Sequence, residues 1–183
     1  STIFWCITGP SVSGTTGWSD QLPEAEQLCL EKGGAMLWAS NFSVGVNLFF
    51  ALNRYLATLM NNRPEYDIRV QEIHHMHKLD APSGTALTLT LDAIKALDRK
   101  LDWKLTPAPA SATDIPVEAI REGEVPGTHK IKYESSVDSI TIEHKAHSRK
   151  GFAAGALLAA QWIHGKKGVF DMMDVLEISR LVS

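Results

Sequence analysis

A strand that leads directly into a helix is the feature that most constrains this chain. From Tyr66 to His75 apolar and polar residues alternate, so that Ile68 and Val70 share one side. Alternation of this kind is typical of a half-buried strand. Apolar residues then recur at helical spacing across 83–99. The segment therefore predicts a sheet whose apolar face is covered by helices.

Similar patterns place the remaining elements. Helices are predicted at 23–32, from the capping residue Ser43 to a stop at 61–64, and at 152–163; strands are predicted at 3–7, 36–38, 117–121, 129–133 and 139–144; and 103–116, rich in Pro, Ala, Ser and Thr, is predicted to be an exposed linker. Together these elements predict an α+β fold, with a mixed β-sheet covered by helices, rather than an alternating doubly wound fold.

Composition excludes several classes of protein. The 183 residues carry a net charge of -3, which gives no indication of a nucleic-acid partner. No apolar run approaches the roughly 18 residues that cross a bilayer, so no membrane partner is expected. The two cysteines, Cys6 and Cys29, form no spaced motif. A reducing, cytoplasmic location is the expectation.

The stretch from Glu72 to Thr85 carries the chemistry, and its second half predicts an anion site. Ser83, Gly84 and Thr85 open the helix that follows Pro82. The first N–H groups of a helix have no carbonyl partner within it, and the helix dipole places partial positive charge there. The hydroxyls of Ser83 and Thr85, and the absence of a side chain at Gly84, also favour binding of an anion. A carboxylate or a phosphate would fit.

The first half of the same stretch supplies groups that transfer protons. His74, His75 and Lys78 come just before the predicted helix start. Histidine titrates near neutral pH, and lysine offers a compact positive charge with three donors. The combination suits an anionic substrate that is protonated during reaction. The other histidines, taken singly, favour structural roles; these are His77, His129, His144, His147 and His164.

A metal site is the alternative interpretation of the histidines. His75 and His77 would share a strand face, and two imidazoles on one face can bind zinc. No third ligand completes the set, and Lys78 beside Asp80 would repel a cation. No metal is therefore predicted.

This segment resembles dihydrodipicolinate reductases. The family's signature, E-x-H-H-x-x-K-x-D-A-P-S-G-T-A, is matched at Glu72, His74, His75, Lys78 and 80–86. Further matches are the stretch R-x-G-x-x-x-G-x-H from Arg121 to His129, the S-R-x-x-F-A-x-G-A helix start at 148–156, and the closing G-x-x-x-M-x-D-V-L at 168–176.

The resemblance implies a substrate and a set of roles. The substrate would be a cyclic, unsaturated dicarboxylate on the route to diaminopimelate and lysine, reduced with NADH or NADPH as water is lost. His74 would be the general acid/base, and Lys78 the second proton donor and charge stabiliser. His75 would contact the substrate, while Ser83, Gly84 and Thr85 would hold a carboxylate. The family further implies a homotetramer formed through the sheet between Val117 and His144.

The resemblance also implies a division of the chain. Residues 1–42 would be the C-terminal part of a nucleotide-binding domain, 43–149 the substrate-binding and oligomerisation domain, and 150–183 a helix and tail returning to the nucleotide-binding domain. The family begins with a Rossmann unit, but no G-x-G-x-x-G occurs here, so only remnants of that unit are expected. Two loops would contact the nicotinamide; their residues are Gly14, Thr15, Thr16, Ala39, Ser40, Asn41 and Phe42.

Two alternative functions stay open from the sequence. The chain could be a substrate-domain fragment that binds the dicarboxylate and oligomerises without catalysis. It could also be a metal-dependent hydrolase built on the histidine cluster.

Overall fold

The computed structural model describes residues 9–15 and 18–178. The strand predicted at 3–7 lies outside the described residues. The described chain divides into two compact units. The first contains 9–15, 18–47 and 150–178, and the second is Leu48–Arg149.

Strands and helices cover most of the described chain. In order, the strands are β1 (Ser11–Ser13), β2 (Ala35–Trp38), β3 (Asp67–His74), β4 (Asp102–Leu105), β5 (Asp114–Arg121), β6 (Thr128–Glu134), β7 (Ser139–Lys145) and β8 (Gly168–Phe170). The helices are α1 (Leu22–Glu31), preceded by a 3-10 turn at Ser19–Gln21, α2 (Val44–Asn61), α3 (Gly84–Ala96), α4 (Lys150–Trp162) and α5 (Met172–Val175).

The first unit contains a small parallel sheet with the strand order β1-β2-β8. Successive side chains of a strand point to opposite faces, and β2 is buried on both. Leu37 packs in a cluster with Ile163 just after α4, while Met36 packs with Cys29 of α1 on the other face. A parallel sheet with helices on both faces is the arrangement of a Rossmann-like remnant.

The second unit contains a mixed sheet with the strand order β4-β5-β3-β6-β7. The central strand β3 runs parallel to β5 and antiparallel to β6. At the sheet edges, β4 runs parallel to β5 and β7 runs antiparallel to β6. Because α3 packs against β3 and β5, the unit is a mixed sheet flanked by helices, and the α+β prediction is confirmed.

The longest helix, α2, is tied to α3 by polar contacts. The Asn53 amide donates a buried hydrogen bond to the Leu89 carbonyl at 2.9 Å. The Arg54 guanidinium pairs with Asp92 at 2.9 Å. At its start, the Ser43 hydroxyl accepts the Val46 N–H at 3.4 Å, as predicted. None of the helices among the described residues has both the length and the apolarity needed to cross a membrane.

The prediction of an exposed linker at 103–116 is wrong at both ends of that range. Its first three residues, Trp103, Lys104 and Leu105, belong to β4, and β5 begins already at Asp114. Pro116 lies within β5, opposite Lys104 of β4. The strand β4 is short and lies at the sheet edge, where long-range pairing rather than local sequence determines the conformation.

Candidate active site

The buried face of β3 becomes polar toward its carboxyl end. Two apolar residues are followed on that face by Glu72 and His74, and both are buried. Across the antiparallel ladder Glu72 is paired with His129 of β6. Across the parallel ladder His74 is paired with Arg121 of β5. Strand register alone therefore brings a carboxylate, two imidazoles and a guanidinium together.

The carboxylate of Glu72 is the centre of this cluster. Its oxygens accept the Ser83 N–H at 3.0 and 3.1 Å. Arg121 Nη2 lies 3.2 Å from Oε1, and His74 Nδ1 lies 3.3 Å from Oε2. Burial raises the pKa of the Glu72 carboxyl, but the contacts from His74 and Ser83 outweigh it and hold the pKa at about 2. Glu72 is therefore an ionised, fully paired carboxylate in the protein interior.

The imidazole of His129 lies beside His74 and is neutral. The two rings meet edge to face, with centroids 5.0 Å apart. Burial, followed by the charge of His74, lowers the pKa of His129 to about 3. His129 Nε2 forms a hydrogen bond with Ser83 Oγ at 3.1 Å. His129 therefore acts as a hydrogen-bonding neighbour and not as a proton donor near neutral pH.

The start of α3 is capped and open. Ser83, in an extended conformation, is the N-cap, and its hydroxyl accepts the Ala86 N–H at 3.2 Å. A Cβ atom added to Gly84, the first residue of the helix, would meet nothing within 4 Å. Thr85 follows in the same turn. Free space thus adjoins the positive end of the helix, which suits an anion.

The loop between β3 and α3 is held by Arg121. Its Nε donates to the Lys78 carbonyl at 3.2 Å, and its Nη2 donates to the Asp80 carbonyl at 2.6 Å. The Lys78 ammonium contacts both carboxylate oxygens of Asp80, at 2.7 and 2.8 Å. This hydrogen bond holds the pKa of the Asp80 carboxyl below its usual value. Lys78 is therefore a partly exposed cation on an anchored loop.

His75 and His77 do not share a strand face, so that expectation is wrong. The strand β3 ends at His74, and the chain turns with the Lys78 N–H donating to the His75 carbonyl at 3.1 Å. His75 Nε2 lies 3.2 Å from the Arg149 guanidinium. His77 is exposed and lies 3.5 Å from Glu124. Both residues lie beyond the end of β3, in a turn that leaves their ring centroids 6.2 Å apart.

A different trio has the spacing of metal ligands among the residues that the structure describes. One ligand atom each from Glu72, His74 and His129 lies within 4.8 Å of the others. The Glu72 oxygens, however, already accept the Ser83 N–H and pair with Arg121. A cation here would compete with a guanidinium for the same carboxylate, so the arrangement favours a hydrogen-bonded network.

The two loops assigned to the nicotinamide follow adjacent parallel strands of the first unit. Gly14 and Thr15 come after β1, and 39–42 comes after β2. The Ala39 N–H donates to the Ser13 carbonyl at 3.2 Å, and Trp38 Nε1 donates to the Thr15 carbonyl at 3.0 Å. Both loops therefore lie at the carboxyl edge of the sheet, where ligands of parallel sheets bind. Thr16 lies outside the described residues.

Within these loops the backbone is tightly packed. A Cβ atom on Gly14 would stand 2.9 Å from the Phe42 ring, so a larger residue there would require the ring to move. The Asn41 carboxamide accepts the Ser43 N–H at 2.9 Å, which fixes the turn into α2. Ser40 is exposed between them. These contacts hold both loops at the sheet edge.

Sequence reasoning missed the joint role of Glu72, Arg121 and His129. Each stands in a stretch that resembles the family, yet none was given a function. One signal was present, since the alternation in β3 puts Glu72 on the buried side, and a buried carboxylate needs partners. The identity of those partners depends on strand register, which a single sequence does not reveal.

Comparison with known proteins bears directly on this site. A family profile described as the C-terminus of dihydrodipicolinate reductase matches residues 45–176. A 4-hydroxy-tetrahydrodipicolinate reductase of Christiangramia forsetii is 48% identical over 167 residues, covering 91% of this chain and 69% of that protein. The reductase of the same name from Neisseria meningitidis is 40% identical over 174 residues, covering 92% of this chain and 64% of that protein.

The fold has a solved counterpart as well. A dipicolinate-bound dihydrodipicolinate reductase from Paenisporosarcina sp. TG-14 superposes with a TM-score of 0.65 at 23% identity, over 87% of this chain and 62% of that one. The chain thus spans between about three fifths and seven tenths of the length of these relatives. The profile and the sequence identities agree with the motif around His74, and the chain belongs to the dihydrodipicolinate reductase family.

Proposed function

We propose that this chain is the substrate-binding and proton-donating part of an NADH- or NADPH-dependent 4-hydroxy-tetrahydrodipicolinate reductase. The reaction yields tetrahydrodipicolinate on the route to diaminopimelate and lysine. The observation that carries the proposal is an ionised, buried Glu72 against His74, with Lys78 and an open helix start at Gly84 on the same connection. The names of the relatives support the choice of substrate.

The helix start would bind one carboxylate of the substrate. Ser83, Gly84 and Thr85 form the positive end of α3, with open space beside Gly84. Because the Ser83 N–H is already donated to Glu72, the carboxylate would be held by the N–H groups that follow Ser83 at the helix start. His75 and Lys78 precede it and add donors and positive charge. The ligand named for the solved relative, dipicolinate, is a planar ring with two carboxylates, which supports binding of a cyclic dicarboxylate.

His74 and Lys78 would carry out the proton transfers of the reaction. The negative charge of Glu72 favours a proton on His74 Nδ1, which leaves Nε2 to give and take the reacting proton. The Lys78 ammonium would stabilise the negative charge that grows on the substrate and would protonate the departing hydroxyl. A bound nicotinamide nucleotide supplies the hydride. Its nicotinamide end would be held by Gly14, Thr15 and Thr16 together with the loop Ala39, Ser40, Asn41 and Phe42.

The proposal includes a homotetramer formed through the second sheet. On the face opposite Glu72, basic residues of β3 and β6 and acidic residues of β5 and β6 surround a groove of about 530 Å³; they include Arg69, Lys130, Lys132, Glu118 and Glu134. Charges of both signs can pair with a rotated copy of the same surface, as a two-fold interface requires. Sedimentation velocity should give the mass of four chains, and the mass of one chain would contradict this.

The proposal also includes a cytoplasmic location. It is supported by the cysteine content of the chain, because Cys6 and Cys29 form no spaced motif of the kind that disulfide-rich secreted proteins contain.

The decisive experiment follows nucleotide oxidation. The purified protein is mixed with 4-hydroxy-tetrahydrodipicolinate and NADH or NADPH, and binding of pyridine-2,6-dicarboxylate is measured by calorimetry. His74→Gln should lower turnover about a hundred- to ten-thousand-fold with little loss of dicarboxylate affinity. His164→Gln, at an exposed histidine after α4, is the matched control and should behave as wild type. Dicarboxylate binding without nucleotide oxidation would contradict the catalytic part and leave a binding fragment.

A further inference from the structure

The carboxylate of Glu72 connects three parts of the candidate active site, and these parts come from different segments of the chain. Glu72 lies against His74 on its own strand and against the N–H of Ser83 at the start of α3. It also pairs with Arg121. Arg121 in turn donates to the carbonyls of Lys78 and Asp80. The proton donor, the anion site and the lysine loop are therefore all within one or two contacts of the same group.

We propose that Glu72 is the positioning residue of this site, which sets the tautomer of His74 and holds the start of α3 and the Lys78 loop in register with it. The inference rests on the proposed function for its catalytic consequence. Its structural content, the tautomer of His74, can be measured without turnover.

The tautomer follows from the chemistry of the contact. An ionised carboxylate can only accept hydrogen bonds. The imidazole atom nearest to it is His74 Nδ1, which lies at ion-pair distance, 3.3 Å from Oε2, without a hydrogen bond between the two. A lone pair on Nδ1 would face this negative charge, whereas a proton there would be attracted to it. In the neutral ring, the favourable form therefore carries its proton on Nδ1 and keeps the lone pair on Nε2. A histidine held in the wrong tautomer cannot exchange the reacting proton, although its position is unchanged.

The two oxygens of Glu72 have separate partners. Oε1 faces the Arg121 guanidinium at 3.2 Å, while Oε2 faces His74 at 3.3 Å and His129 Nε2 at 3.7 Å. The Ser83 N–H donates to both. Replacement by glutamine preserves the shape but converts one acceptor into an NH₂ donor. That donor must face either Arg121 or the imidazoles, so one of the two contacts is lost without creating a cavity.

The test compares Glu72→Gln with a matched replacement on the same sheet. Asp102 of β4 also pairs with a cation, Lys104, at 2.9 Å, but both side chains are exposed. Ring ¹⁵N spectra of the histidines, with the His74 signals assigned by their loss in His74→Gln, report the tautomer directly. Turnover and the affinity for pyridine-2,6-dicarboxylate are measured on the same samples.

In the wild type, the neutral His74 ring should carry its proton on Nδ1. In Glu72→Gln the population should shift toward the Nε2-protonated form. Turnover should fall about a hundredfold while dicarboxylate affinity changes by less than about tenfold, as expected when the orienting partner of a reacting histidine is lost. Asp102→Asn should leave all three measurements as in the wild type.

A wild-type ring protonated on Nε2 would overturn the proposal, and this result does not depend on whether any variant folds. An unchanged tautomer in folded Glu72→Gln would also overturn it. If Glu72→Gln fails to fold, the tautomer of the wild-type ring decides the proposal by itself. A wild type that shows the Nδ1 proton but neither binds dicarboxylate nor oxidises nucleotide supports the positioning role and contradicts the proposed function.

Discussion

The backbone of Gly155 lies so close to Phe42 that a Cβ atom on the glycine would stand 1.7 Å from the Phe42 carbonyl oxygen. Contact between α4 and the loop after β2 thus depends on a missing side chain. Gly155→Ala should lower the free energy of unfolding by about 3 kcal/mol or more, because the backbone must move to relieve the overlap. Denaturant unfolding of the two proteins measures the difference.

The matched control is Gly151→Ala in the same helix. There the new Cβ atom would lie 3.6 Å from Ser43 Oγ, an ordinary contact. Alanine favours a helix over glycine by up to about 1 kcal/mol, so Gly151→Ala should be neutral or stabilising. Equal effects of the two replacements would contradict the close packing at Gly155.

Gly84→Ala separates folding from ligand binding. Nothing lies within 4 Å of the added Cβ atom, and alanine is the better helix former, so the free energy of unfolding should stay equal or rise by up to about 1 kcal/mol. In the proposed complex the same space holds a substrate carboxylate. The affinity for pyridine-2,6-dicarboxylate should therefore fall by about tenfold or more, a loss of at least about 1.4 kcal/mol. Calorimetry that shows unchanged affinity would place the carboxylate elsewhere.

Lys78→Met tests the cation of the loop. The substitution keeps most of the side-chain length and removes the contact with Asp80, whose carboxyl pKa should return toward its usual value. Loss of a proton donor and charge stabiliser should lower turnover by roughly a hundred- to ten-thousand-fold, and dicarboxylate binding should weaken as well. The control is Lys95→Met, at an exposed lysine of α3, which should change neither turnover nor dicarboxylate affinity. Near-normal turnover in Lys78→Met would mean that Lys78 is not the second proton donor.

The buried cluster should make stability depend on pH. The pKa of His129 is about 3 in the folded protein against 6.5 in a model peptide, so below pH 6.5 the unfolded chain takes up a proton that the folded chain excludes. The free energy of unfolding should fall as the pH drops from 6.5 toward 3, by up to about 1.4 kcal/mol per pH unit. Glu72, with a pKa of about 2 against 4.5, adds a loss of the same sign between pH 4.5 and 2.

His129→Gln isolates the histidine contribution. The variant should show a flatter dependence than wild type between pH 6.5 and 4.5, while the loss below pH 4.5 remains because Glu72 is unchanged. Denaturant unfolding at several pH values provides both curves. Identical slopes above pH 4.5 would mean that His129 is not buried as a neutral ring.

Local sequence was sufficient for the parts of the site that follow one another in the chain. The alternation of β3 and the helix start at 83–85 depend on residues within about twenty positions, and the structure contains both. The resemblance to the family was confirmed by the matched profile at 45–176. The roles given to His74 and Lys78 stay predictions.

The parts that depend on strand register were not predictable from one sequence. Glu72 meets His129 only because β6 pairs with β3 in one antiparallel register, and a slip by one residue would turn His129 away. The edge strand β4 was missed for a related reason, because its pairing with β5 is what makes it a strand. In both cases the deciding contact joins residues far apart in the chain.

The central position of β3 has a consequence for how the site moves. Its backbone is hydrogen-bonded on both sides, to β5 and to β6, so amide hydrogens near His74 should exchange with solvent only when much of the second unit opens. Lys78 lies beyond the strand in a loop, where smaller local openings suffice. His74 thus belongs to a segment that should open slowly, while the loop around Lys78, although held by Arg121, should open more often.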